Sequence, residues 1–438
     1  MKLNAQAAEV LRLKFDFNAS PVRSSLGFTC KSKPRGAKAR FIALLLGLAA
    51  PVPGHGAVLT NDTAPLEPDL VYTNYRVASV PWSIHVVRIK RSDPALEIHS
   101  GHAGGGALGL STLSDQIKRM DSSKGVALAA INGDFYKRDG FYAGDPRGVQ
   151  VIDGELISAP VGGACFWIDA LGQPLATNVG SLFQVVWPNG ATNSFGLNEE
   201  RPPRGMELYT PAIGASTHTS GGRELILEGR QGSPWLPLRI GRAYQARVRE
   251  IRESGDTKLE PGLMILSLGP ALLAGAVQVS TGAVLSLSLA TTPTLRGARA
   301  AIGGGPVLLR NGKRQKLEPP STESYEFSSM MERHPRTAIG WNPDFFFFVE
   351  VDGRQKDISV GMTLDELSRY LAKLGCEDAM NLDGGGSATL WSGGAVRNSP
   401  CDGRERAIAN SLIVVKRQNA GSRKPAEAAG RPQSGSRP

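Results

Sequence analysis

Four cysteines in 438 residues are too few to build a disulfide scaffold, so the fold has to rest on an apolar core. Paired Cys-x-x-Cys, H-E-x-x-H, clustered histidines and the EF-hand loop are all missing, which removes the common zinc and calcium signatures. No glycine run leads into Lys-Ser/Thr, and no serine sits in a G-x-S-x-G elbow, so neither a Walker loop nor a hydrolase elbow is present. No metal or cofactor is expected. Aromatic residues are scarce at 6%, and no fixed-period repeat marks a solenoid or propeller. Long apolar runs are missing too. The one distinct run, Phe41–Ala50, is too short to cross a bilayer comfortably.

What is present begins with charge. The net charge is +10, yet residues 1–40 hold nine Lys/Arg against two acids, and residues 416–438 hold six against one. The stretch between them carries a net −2. A basic face for nucleic acid is therefore not expected. The basic segment Lys31–Arg40, the apolar Phe41–Ala50 and the small residues of Pro51–Ala57 predict an export signal. The expected organisation is an extension and signal over 1–57, leading strands over 58–100, a main domain over 101–416 and a disordered basic tail over 417–438. Exported, periplasmic or extracellular placement follows, with no stable membrane span after signal removal. Cys30 leaves with the signal. Cys376 and Cys401 flank a glycine turn and form the expected disulfide, with Cys165 free and buried.

Abundant glycine (52 residues) favours turns and short strands. The expected class is α+β, a mixed β-rich sheet core with a few helices. Strands are predicted at Thr73–Ser92, at Val126–Tyr136 and in a hairpin turning at Asp153-Gly154. Residues 180–300 read as β-rich, with Asn198–Pro211 as a solvated loop. Two helices are marked: Leu113–Met120, starting at Ser111 or Thr112, and the segment from Thr363 to Gly375. In the second, Thr363 caps, Glu366 completes a capping box and Gly375 terminates.

Four stretches share one grammar, an apolar strand running into polar residues and glycine. They are Asn132-Gly133-Asp134, Gly303-Gly304-Gly305, His334-Pro335-Arg336-Thr337, and Asn381 with Asp383 through Ser387. Strand ends are where ligands sit in sheet-based folds. If these ends converge, the pocket holds two carboxylates, an arginine and bare main chain. Asp383 and Asp134 suit acid–base or nucleophilic work on a sugar. Arg336 and the amides of Gly384, Gly385 and Gly386 suit a phosphate. Asn132, Gly133, Gly304, Gly305, Thr337, Asn381 and Ser387 complete the expected binding set, with His218 as a further candidate. The expected partner is a sugar phosphate or polysaccharide, and the chain does not specify an oligomeric state.

The motifs "INGDFY", "GGGPVLL", "RHPRTAIGW", "VDGR", "NLDGGGSATLW", "VRNSP" and "RERAIANSL", in that order, resemble the phosphodiester glycosidase family. The resemblance implies hydrolysis of a sugar-1-phosphodiester, N-acetylglucosamine-1-phosphodiester-like or exopolysaccharide-linked, at the C1–O bond. It carries site roles to the glycine, Asp, Arg336 and Thr337 positions above and adds Asn398 and Arg406. The alternative reading is a non-catalytic module for anionic polysaccharide or its export.

Overall fold

In a computed structural model of the chain, residues 59–104, 107–231, 234–319 and 324–417 are described. The expected export segment, Cys30 and the residues beyond Arg417 lie outside them. Strand dominates the described residues, at 45% against 11% helix. The expected β-rich core is found, and the label α+β fits it only loosely. Three α-helices occur among the described residues, Leu113–Arg119, Tyr325–Met331 and Leu364–Leu374.

Three sheets occur among the described residues. The first has eight antiparallel strands, in the order Leu59–Glu67, Leu70–Val77, Trp82–Lys90, Phe345–Val351, Arg336–Trp341, Asp378–Asn381, Val307–Arg310 and Lys313–Arg314. Strand alternation gives it two faces of different use. Ile339, Trp341, Phe346 and Phe348 point to one side and pack on Ala129, Ile131, Leu390 and Leu412 of a five-stranded sheet. Ala338, Phe347 and Val349 point to the other side, where Leu364, Leu367 and Leu371 of the third helix cover them. That helix is capped as its sequence predicts: Thr363 accepts from the Glu366 amide, Glu366 reaches back to Thr363, and Gly375 adopts φ 93°.

The twelve-stranded sheet carries its own large core, which includes Phe183, Trp187, Leu208 and Tyr244. Its strand Ala300–Gly304 pairs with Val161–Ile168. The chain then passes through Gly305, at φ 126°, into the eight-stranded sheet. The triple glycine is thus the point where one strand leaves one sheet for another. A Cβ on Gly304 would stand 2.8 Å from the Asn381 carbonyl oxygen.

Two expectations are corrected. Residues 198–211 are not a solvated loop: Asn198 is fully buried, and buried Arg201 donates to Ser267 Oγ and to the carbonyls of Leu268, Ser220 and Gly221. The Cys376–Cys401 disulfide is absent; both thiols are free, as is Cys165. Cys376 sits in the helix-covered core, against Gly340, before the strand Asp378–Asn381 begins. Cys401 belongs to the loop beyond the opposite end of that strand and faces Asp402 at 3.6 Å.

Candidate active site

The two acids predicted to converge do so. Asp134 follows the strand Val126–Asn132, and Asp383 follows Asp378–Asn381. The Asp383 amide donates to the Gly133 carbonyl at 2.9 Å, which ties the two strand ends together. Asn132 braces the junction. Its Nδ2 donates to the Asp383 carbonyl at 2.7 Å, and its Oδ1 accepts from Thr337 Oγ1 at 2.7 Å and the Thr389 amide at 3.0 Å. Asn381 donates to the Gly305 and Leu382 carbonyls. Asn132, Thr337 and Asn381 therefore hold the frame through protein contacts.

Asp134 is only 3% exposed. Its oxygens accept from the amides of Phe135 at 2.8 Å and Gly148 at 2.7 Å. The carboxylate lies so close to bare main chain that a Cβ on Gly303 would stand 2.2 Å from its Oδ2. Burial, reinforced by the charge of Asp383, pushes the Asp134 carboxyl up to about 7 against the pull of those two amides. Asp383 keeps part of its surface open. It accepts from the Gly384 amide at 2.9 Å. Burial pushes its carboxyl up as well, opposed by bonds from Ser387 and Gly384 and by the charges of Arg406 and Arg138. Tyr136 completes the surround, 3.5 Å from Ser387 Oγ, with its hydroxyl donated to the Ala407 carbonyl.

The arginine expected at the phosphate is turned away. Arg336 neighbours Thr337 on one strand, so the two side chains take opposite faces. Thr337 faces the site. Arg336 lies on the helix-covered face, 3% exposed, donating to the carbonyls of Met362 at 2.7 Å, Ser329 at 2.6 Å and Glu332 at 3.0 Å. Burial and then the charge of Arg354 push its guanidinium down to about 10, still protonated at neutral pH.

Two other arginines stand at the glycine turn. Arg406 packs on Gly386, where a Cβ would lie 1.9 Å from its Nη2, and it pairs with Asp402 at 2.7 Å. Arg354 packs on Gly385, where a Cβ would lie 3.2 Å from its guanidinium nitrogens. Exposed Arg138 joins Arg406 as a positive charge felt by Asp383.

The glycine turn serves close approach more than phosphate cradling. The Gly384 amide is donated to Asp383, and the Gly385 amide to the Pro335 carbonyl at 3.0 Å. Gly384 passes so near Pro335 that a Cβ would stand 2.5 Å from its carbonyl oxygen, and Gly385 adopts φ 59°. Ser387 is fully buried beside Asp383. Gly133 is bare because a Cβ would meet Asn410 Oδ1 at 2.3 Å, the atom that accepts the Asp134 amide at 2.8 Å. Gly305 donates its amide to the Asn381 carbonyl.

His218 lies outside this cluster, stacked on Phe141 at 4.9 Å between ring centres and bonded to Ser216. Asn398 sits beneath the site and binds the main chain of Leu390 and Ala388. Single-residue reading did not single out Arg354, Tyr136, Asn410 or Arg138, although the first three fall inside quoted motifs. A groove of about 850 Å³, lined by Arg91, Arg239, Arg296 and Arg299 among others, includes none of the residues around Asp383.

Comparisons with known proteins agree with the fold. A hypothetical protein from Synechocystis superposes with a TM-score of 0.65 at 20% identity, over 81% of this chain and 63% of that one. A protein of Burkholderia pseudomallei K96243, provisionally named as exported, gives 0.60 at 21% identity, over 78% and 77%. An uncharacterized SPbeta prophage-derived protein of Bacillus subtilis strain 168, YomE, is 32% identical over 120 residues, 27% of this chain and 18% of that relative. The match spans less than a fifth of YomE's length. Residues 252–415, which include Arg354, Asp383, the glycine turn and Arg406 but not Asp134, match the family described as NAGPA, phosphodiester glycosidase, the family that the sequence motifs resemble.

Proposed function

We propose that the chain is an exported hydrolase that cleaves the C1–O bond of a sugar-1-phosphodiester, of the N-acetylglucosamine-1-phosphodiester type or borne on an exopolysaccharide. The observation that carries this reading is Asp383, a half-buried residue whose carboxylate feels the charges of Arg406 and Arg138, with Tyr136 and Asp134 in electrostatic reach of it. An expelled phosphomonoester is a weak base, so it needs charge neutralisation more than protonation. Fixed guanidinium groups supply that before the reaction begins. Arg406 and Arg354 take the phosphate in this scheme, replacing Arg336. Asp383 faces the oxocarbenium-like C1. Asp134, poised near neutrality, moves the proton of the attacking water or holds that water. Export draws support from the Lys31–Ala57 pattern and the provisional name of the Burkholderia relative. Among the described residues no helix is long and apolar enough to cross a membrane.

The test is a panel of sugar-1-phosphodiesters offered to the purified protein in ¹⁸O water. Sugar release with label at C1, lost in Asp383→Ala, is expected. Label in the phosphate product would mean P–O cleavage. Binding without turnover would return the site to a carbohydrate-binding role.

A further inference from the structure

A second polar cluster lies on the face of the eight-stranded sheet that carries Thr337. Strand register sets Asn74, His85, Glu350 and Thr337 side by side across four adjacent strands. Asp352, two residues beyond Glu350, shares its face. His85 Nε2 is 2.9 Å from Asp352 Oδ2, and its Nδ1 is 2.8 Å from the Tyr72 hydroxyl. Asp352 Oδ1 accepts the Ser399 amide at 2.7 Å. Glu350 differs from its neighbours. It is fully buried, and neither carboxylate oxygen has a hydrogen-bond partner. The Asn398 side-chain amide donates one N–H to the Ala388 carbonyl and turns the other toward Glu350, short of a well-formed hydrogen bond.

A buried carboxyl with no well-formed hydrogen bond, set beside a second carboxylate and an imidazole, is a place where a cation would be held. One imidazole nitrogen and two carboxylate oxygens, all within 4.8 Å of one another, are a metal-ligand set. We propose that His85, Glu350 and Asp352 bind one divalent cation of the zinc class. Ligand–metal distances of about 2.0–2.2 Å for nitrogen and oxygen would require the three donors to draw in by only a small side-chain adjustment. Tyr72 holds the far ring nitrogen of His85, and the Ser399 amide holds the free oxygen of Asp352, the outer contacts that orient metal ligands. A water takes the fourth position. The mixed nitrogen and carboxylate donors favour zinc over calcium or magnesium, which prefer oxygen alone.

The cation site is independent of the sugar chemistry, and its test does not read activity. The full purified chain is dialysed against zinc, then analysed for metal content and melted with and without chelator. Wild type should retain about one zinc per chain and melt higher with zinc than after chelation. Glu350→Gln and His85→Gln should lose both the bound zinc and the zinc-dependent rise in Tm. Chelated Glu350→Gln should melt no lower than chelated wild type, because it removes an unpaired buried charge. That comparison separates lost binding from lost folding. A wild type that holds no zinc and melts the same with and without chelator overturns the proposal, as does a Glu350→Gln variant that still binds zinc.

Discussion

Arg336 donates to three main-chain carbonyls on the covered face of its strand, whereas Arg406 leans on a glycine and one partly exposed aspartate. The same side chain thus has opposite consequences when removed. Arg336→Met strands three acceptors and should cost about 3 kcal/mol or more in urea unfolding. Arg406→Ala should change stability by less than about 1 kcal/mol, yet lower kcat/KM by roughly 100-fold or more by removing phosphate neutralisation. A stable, inactive Arg336→Met beside a fully active Arg406→Ala would reverse the assignment. Asp134 supplies a pH test. Its folded value of about 7 lies above the ordinary 3.8, so folding favours the protonated form. That contribution is complete below about pH 4 and is lost as pH rises through 7. Relative to Asp134→Asn, wild-type stability should fall across this window by an amount on the order of 4 kcal/mol. Parallel stability curves for the two proteins would remove Asp134 from the acid–base role.

At the scale of elements, local chemistry was legible and facing was not. The helix Leu364–Leu374 announces itself through Thr363, Glu366 and Gly375, because a capping box and a left-handed terminus are written in adjacent residues. The turn Asp153-Gly154 is legible for the same reason, with positive φ at both positions. In the strand Arg336–Trp341, which of Arg336 and Thr337 meets the site depends on the layer that covers each face. A helix 28 residues downstream of Arg336 decides that. The helix Tyr325–Met331 carries no such boundary signal strong enough to separate it from a loop, although Ser324 caps it. His85 and Glu350 meet only through strand pairing across 265 positions, and no local pattern encodes it. The glycine turn yields a prediction at this scale. Gly386→Ala places a Cβ where the Arg406 guanidinium now lies. The arginine must move, so activity should fall about as far as in Arg406→Ala, and the double variant should be no worse than either single one. Additive losses would show that turn and arginine act separately.

On the scale of the whole molecule, the site belongs to no single sheet. Asp134 leaves the five-stranded sheet, Gly303 against its carboxylate lies one residue from the end of a strand of the twelve-stranded sheet, and Asp383 leaves the eight-stranded sheet. One apolar cluster joins all three: Ile131 and Leu412, Phe166 and Ile302, Ile339 and Leu382 are buried together. Phe166 is its hinge point, with its ring centre 5.3 Å from that of Trp341 across the sheet boundary. Loosening this cluster should therefore part the two acids as it exposes the tryptophan. Phe166→Ala should cost about 3–5 kcal/mol, and in both proteins the urea midpoint for activity should coincide with that for tryptophan fluorescence, since a cooperative core leaves no intermediate with the acids in place. If activity disappears at distinctly lower urea than fluorescence changes, the carboxylates are held by their loops alone, and the junction of three sheets does not assemble the site.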